Sequence, residues 1–333
     1  MKVTVVGTGS WGLAIGIVLA QNGHEVHFWA RNKKTLDSLA KNSASDLLPN
    51  IKLPANFIYH NDLASACADS SLITIVLPSS AIRTISSQLN QLKLPNDTRV
   101  ISLTKGIEQE SLLRMTEVLV QDVCWLKESN CGVLSGPSHA EEVAQATPTS
   151  VVVAFTNLKI ATEVQELFFT ENFRVYTSED VMGVELCGAL KNVIAIATGI
   201  LDGLQFGDNT KGALICRGLA EISRLGEALG CGVRTFSGLA GMGDLITTCM
   251  SQHSRNRSVG YRLGSGESLA DILASMKMVA EGVPTTKSAF QLMKKYDIEM
   301  PISEAVYAII YQGSSPKAAT ISLMKRDPKI EGF

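Results

Sequence analysis

The chain has 333 residues, 45% of them hydrophobic, enough for a full core and, at that length, for about two domains rather than one small module. Lys plus Arg total 30 against 32 for Asp plus Glu, a formal net charge of -2, which excludes the broad basic surface of a nucleic-acid binder and leaves any anionic ligand to a local cluster. The seven cysteines are odd in number, scattered and never spaced Cys-x-x-Cys, so neither a disulfide framework nor a zinc knuckle is indicated, and a reducing cytoplasm is the expected compartment.

Lys2–Val6 reads as a buried strand, Gly12–Gln21 as a helix stopped at Gly23, and Glu25–Trp29 as the next strand, one βαβ unit. The apolar start is broken by Gly7-Thr-Gly-Ser-Trp-Gly12 and lacks a clear small-residue cleavage pattern, so a secretory signal is not expected. Further strands are expected at Leu72–Leu77, Arg99–Thr104, Cys131–Ser135, Ser150–Phe155 and Phe173–Tyr176, with helical periodicity between most of them. That alternation predicts a mostly parallel, doubly wound α/β sheet. From about Glu179 the pattern turns helical, over Val181–Leu204, Lys211–Leu229 and from Ser288 onward. The expected division is therefore a Rossmann-type dinucleotide-binding domain at 1–178 and an all-helical substrate domain at 179–333. The longest apolar stretches noted, such as Val193–Ile200, fall short of the roughly 18 to 20 residues of a membrane span, so no membrane anchor is expected.

Gly7-x-Gly9-x-x-Gly12 lies between the first strand and the first helix, where glycines permit a tight turn and close approach of a pyrophosphate to the helix amino end. Ser10 and Trp11 share that turn. The second strand ends in Phe28-Trp-Ala-Arg31-Asn32, without the acidic residue that grips the ribose 2'-hydroxyl of NAD. Arg31 can instead pair with a 2'-phosphate, favouring NADPH with NADH possible, or it is a solvated turn residue.

Ligands of open α/β sheets bind beyond the carboxyl ends of the strands, where Lys105 and Gly136-Pro-Ser138 fall. Ser138 could equally cap the following helix. In the helical half, Lys191 sits in an apolar stretch between Leu190 and Val193, which marks either a functional amine or a stem snorkelling from an amphipathic helix. Asp244, in Gly241-Met-Gly-Asp244, precedes Ser254-Arg255-Asn256, a capped helix start with cationic and amide donors suited to a phosphate, or simply a basic solvated helix start.

In order along the chain, Gly-Thr-Gly-Ser-Trp-Gly from Gly7, Leu-Ser-Gly-Pro-Ser from Leu134, Leu-Lys-Asn from Leu190, Gly-Asp at Gly243, Ser-Arg-Asn from Ser254 and Val-Ala-Glu-Gly from Val279 resemble the NAD(P)-dependent glycerol-3-phosphate dehydrogenase family of the bacterial cytoplasmic type. The resemblance implies reversible reduction of dihydroxyacetone phosphate to glycerol 3-phosphate, feeding glycerophospholipid synthesis, by a homodimer. It implies that Lys191 is the catalytic proton carrier and that Lys105 touches both cofactor and substrate. Gly136, Ser138, Asp244, Ser254, Arg255 and Asn256 would surround the substrate. Ser10, Trp11, Arg31, Ala140, Arg255, Val279 and Glu281 would contact the nucleotide. His139 stands at a position often aromatic in the family, and Met242 at one often Leu.

A proton carrier serving both directions at neutral pH needs a pKa near 7 to 8, far below the ~10.4 of a free lysine, and burial together with the charge of Lys105 would push Lys191 that way. Two other readings stay open from sequence: a lysine-using reductase of another hydroxy acid, and a regulator that senses NADPH without turnover.

Overall fold

A computed structural model describes residues 1–276, 278–327 and 330–331. Eight strands, β1 (Lys2–Val6), β2 (Glu25–Trp29), β3 (Ile58–His60), β4 (Leu72–Ile75), β5 (Arg99–Ser102), β6 (Cys131–Ser135), β7 (Thr149–Ala154) and β8 (Phe173–Ser178), form one sheet in the order β3-β2-β1-β4-β5-β6-β7-β8. All neighbours are parallel except β6 and β7. β1, β4 and β6 are buried almost end to end, the pattern of strands covered on both faces, and Leu13, Ile15, Phe28, Phe155 and Phe168 fill the core beside them. The chain runs outward through β2 and β3 and then returns to place β4 on the other side of β1, so the order reverses there and opens a crevice beyond the strand ends.

The expected mostly parallel, doubly wound sheet is present. Its first helix runs over Ser10–Gln21 and so begins inside the glycine motif, two residues before the predicted start. The three-residue edge strand β3 was not predicted; it is short, half exposed and lies just after Pro54, so it carries neither a buried run nor an alternating one.

Residue contacts divide the chain into two units, one comprising Met1–Thr104 with Met115–Val181 and the other Lys105–Arg114 with the chain from Met182 onward. The sequence division at 178/179 put Lys105–Arg114 in the first domain. This excursion instead packs with the second unit, where Lys105 pairs with Asp244, the Ser288 hydroxyl donates to the Ile107 carbonyl at 3.1 Å, and Arg114 meets the buried Glu185 carboxylate at 2.5 Å.

Among its described residues the second unit is helical, apart from an isolated bridge between Ile107 and Arg114. Its long helix, Val181–Gly203, is largely apolar apart from Glu185, Lys191, Asn192 and Asp202, and is buried over nearly its whole length. By length and composition it could cross a membrane, which corrects the expectation that no apolar segment is long enough; the burial of its apolar stretch gives that surface a partner within the protein. The helix Arg255–Gly264 crosses it backbone to backbone. A Cβ on Gly199 would fall 2.0 Å from the Arg257 carbonyl oxygen, and one on Gly260 would fall 2.0 Å from that of Ile196, so neither position admits a side chain.

Candidate active site

In the first unit, the turn between β1 and the helix Ser10–Gln21 is shaped by its glycines. Gly7 has φ +123°, and a Cβ there would lie 2.3 Å from the Val76 carbonyl oxygen; a Cβ on Gly12 would lie 2.3 Å from the Gly7 carbonyl oxygen. Gly9 is different, because a Cβ there would meet nothing within 4 Å: its backbone faces open space at the amino end of the helix. That helix has no acidic residue in its first turn, so nothing there cancels the positive end of its dipole. Trp11, on the same turn, has a buried indole N–H with no hydrogen-bond partner among the described residues. An open glycine cradle, an uncancelled helix end and an unused donor fit the pyrophosphate of a dinucleotide.

Arg31 follows the end of β2, exposed, and the segment from Phe28 to Lys34 contains no carboxylate. Beyond β6, Gly136 has φ +138° and a Cβ there would press on the Val151 Cα at 2.9 Å, so this position also requires glycine. The cap of the helix Ala140–Ala144 is His139, so Ser138 is not the cap; its hydroxyl donates to the Gly136 carbonyl at 2.9 Å.

In the second unit, Lys105, Lys191 and Asp244 come together. Lys191 is buried, 5% exposed, and its Nζ donates to Asp244 Oδ1 and, at 2.7 Å, to Thr248 Oγ1. Lys105 Nζ donates to the other carboxylate oxygen of Asp244 at 2.7 Å. Thr248 donates in turn to the Asp244 carbonyl at 2.6 Å, which leaves its oxygen lone pairs for the lysine. Asp244 and Thr248 are one turn apart on the helix Asp244–Met250, hence on one face, and Asp244 opens that helix where the dipole favours an anion.

Burial pushes the Lys191 amine down and the nearby Lys105 charge adds to this; Asp244 pulls the other way, and the result is a pKa of about 7 against an ordinary 10.5. Burial also pushes Asp244 up, but the two amines beside it outweigh that and hold it below the usual carboxylate range. The neighbouring Cys249 thiol is raised to about 11 by burial, so it stays protonated and inert.

Ser254 caps the helix Arg255–Gly264, its hydroxyl accepting from the amides of Asn256 and Arg257, both at 3.2 Å. Those two amides are therefore already partnered, so an anion at this end would rely more on side chains than the sequence suggested. Arg255 spends one guanidinium nitrogen on the Val279 carbonyl at 3.1 Å and, among the described residues, keeps the rest of its fork. Asn256 is buried and bridges three helices: its amide nitrogen donates to Asn192 Oδ1 at 2.8 Å, and its oxygen accepts from the Gly282 amide at 2.9 Å. Glu281 stands at the cap of the helix Gly282–Lys295 without capping it through its side chain. Thr248 and Asn192 were absent from the site residues drawn from sequence. The i, i+4 spacing of Asp244 and Thr248 was the available signal, and Asn192 adjoins the lysine.

Residues 2–161 match the family model described as NAD-dependent glycerol-3-phosphate dehydrogenase N-terminus, and residues 180–321 match the corresponding C-terminus model. The chain belongs to the NAD-dependent glycerol-3-phosphate dehydrogenase family. It is 48% identical over 326 residues to a glycerol-3-phosphate dehydrogenase (NAD(P)+) of Bacillus pumilus (strain SAFR-032), covering 98% of this chain and 94% of the relative. It is 47% identical over 331 residues to the protein of that name from Thermoanaerobacter sp. (strain X514), covering 99% of each. The solved glycerol-3-phosphate dehydrogenase of Coxiella burnetii superposes with a TM-score of 0.92 at 36% identity, over 98% of this chain and 99% of that one. As a glycerol-3-phosphate dehydrogenase family member the chain is an NAD(P)-dependent oxidoreductase, and the reading as a non-catalytic regulator falls away.

Proposed function

We propose that the chain reduces dihydroxyacetone phosphate to sn-glycerol 3-phosphate, reversibly, with Lys191 as the proton carrier. The observation that carries this reading is the buried amine of Lys191 on Asp244, with a pKa of about 7, in a member of this family. NAD(P)H, when bound, supplies the hydride. Gly7, Gly9, Ser10, Trp11 and Gly12 would hold the dinucleotide pyrophosphate at the helix amino end, with Arg31 on the adenosine ribose side. Ala140, Val279 and Glu281 enter the nucleotide site on the family resemblance alone.

As the ketone becomes an alcohol, negative charge grows on its oxygen. Lys191, as ammonium, gives that oxygen a proton; as neutral amine it takes the proton back in the oxidation. Asp244 keeps the amine oriented and accepts from Lys105 at the same time, so the Lys105 ammonium stays beside the reacting oxygen as a fixed positive charge. Thr248 holds a second Lys191 N–H, leaving the third for the substrate. The free part of the Arg255 fork, with Ser254 and the remaining Asn256 N–H, is assigned to the phosphate, and Gly136 and Ser138 to the rest of the substrate.

We also assign the main part of the cofactor site to residues 1–178 and the proton chemistry to 179–333 together with the excursion at Lys105. Arg31 without a carboxylate in the turn supports a preference for NADPH over NADH. Seven free cysteines support a reducing cytoplasm. A homodimer rests on the family resemblance alone.

The test is loss of NADPH absorbance on adding dihydroxyacetone phosphate, beside dihydroxyacetone and a 2-keto acid. Turnover with the phosphorylated ketone alone is expected, and Arg255→Ala should raise its KM by about tenfold or more, the worth of one charge-assisted hydrogen bond. Equal rates with dihydroxyacetone would remove the phosphate role, and faster turnover of the 2-keto acid would favour a hydroxy-acid reductase.

A further inference from the structure

The strand hydrogen bonds of β2 end at the Ala30 amide, which donates to the His60 carbonyl at 3.3 Å. Beyond that point Ala30 and Arg31 have no ladder to hold them, yet the helix Lys33–Asn42 starts two residues later, capped by the Asn32 side chain on the Lys34 amide at 3.0 Å. The gap is closed by Asn61. Its side-chain nitrogen donates one hydrogen to the Ala30 carbonyl at 3.1 Å and the other to the Arg31 carbonyl at 3.0 Å. Asn61 is itself anchored, because its carbonyl accepts the indole N–H of the buried Trp29 at 3.1 Å.

This arrangement fixes the backbone on which Arg31 stands without using its guanidinium. The Arg31 side chain is exposed, and no hydrogen bond or ion pair engages it among the described residues. No carboxylate lies in the turn to compete for it, and the next helix begins with Lys33 and Lys34, with no acidic residue in its first turn. First turns ordinarily favour acids; here both the fixed backbone and the charge pattern suit a dianion beside the ribose.

We infer that Asn61 is a specificity-determining positioning residue, holding the Ala30–Arg31 backbone so that Arg31 reads the 2'-phosphate of NADPH. The inference rests on the assignment of Arg31 to that phosphate. Asn61 itself is assigned no contact with the cofactor. It acts by removing the freedom of the chain that carries Arg31, so its loss weakens the dinucleotide with the 2'-phosphate and leaves the one without it unaffected. Asn61 is exposed, so its replacement disturbs no core.

The experiment compares Kd and KM for NADPH and NADH in the full-length wild type, Arg31→Ala, Asn61→Ala and the double variant, with thermal melts alongside. Asn61→Ala should raise the NADPH values by about three- to tenfold, the worth of one or two ordinary hydrogen bonds, and leave the NADH values within about twofold. In the Arg31→Ala background the same change should have no further effect, because its only route to the phosphate is gone. If Arg31→Ala is selective for NADPH while Asn61→Ala changes neither cofactor, or both equally, the positioning role is overturned and the Arg31 assignment stands. If Arg31→Ala itself weakens both cofactors equally, the assignment falls and the inference with it.

Discussion

A lysine buried against a carboxylate is ordinarily held in its charged form. Here one carboxylate serves two amines that differ in burial. The side chain of Lys105 is 20% exposed and that of Lys191 only 7%, so water offsets the cost of charge at the first far more than at the second. With Lys191 neutral, Lys105 and Asp244 form a charge-balanced pair and the buried amine costs least; protonating it leaves a net positive charge ready for a substrate anion. Thr248 bears on this balance because an ammonium donates more strongly than an amine to the same hydroxyl. Thr248→Val, nearly isosteric, should therefore move the Lys191 ionisation below about 7 and slow reduction at neutral pH by about three- to tenfold. The pH dependence of kcat for reduction checks this, and an unmoved limb would take Thr248 out of the site.

The elements that place these residues differ in how plainly the sequence announces them. The buried valines of β1 and the glycine turn were legible because a strand covered on both faces and a phosphate-sized turn each leave a local pattern. β3 was not, since three residues at a sheet edge leave none. The departure of Lys105–Arg114 to the second unit was also hidden, as it depends on partners such as Glu185 and Ser288 far along the chain. Thr248 went unmarked because an isolated threonine carries no signal until Asp244 is known to face Lys191. The crossing of Val181–Gly203 with Arg255–Gly264 links fold to site, since it sets Asn192 against Asn256 and therefore fixes Lys191 relative to Arg255. Gly260→Ala places a methyl on the Ile196 carbonyl and should cost about 1–3 kcal/mol or more of stability while raising the KM for dihydroxyacetone phosphate. Denaturant melts and initial rates check both; an unchanged midpoint would mean that the helices part at no cost.

At the scale of the molecule, no disulfide supports the fold. All seven cysteines are free, and only Cys124 and Cys216 are exposed. Ellman's reagent should accordingly titrate two thiols in the native protein and all seven in denaturant, with the same melting temperature with or without reductant. A native count well above two would mean that buried thiols such as Cys187 or Cys249 are reached through opening of the helical unit. The amine cluster is also a property of the folded whole: Lys105, Lys191 and Asp244 are separated by long stretches of chain and meet only in the assembled second unit.

The most direct test of Lys191 as the proton carrier is the pH dependence of kcat/KM for glycerol 3-phosphate oxidation. Oxidation needs the neutral amine, so the rate should climb with pH through a single limb near about 7, while reduction, which needs the ammonium, should fall above the same point. Lys191→Ala should lose turnover in both directions and bind NADPH as the wild type does. An oxidation profile without that limb, or a Lys191→Ala enzyme turning over at the wild-type rate, would contradict the account.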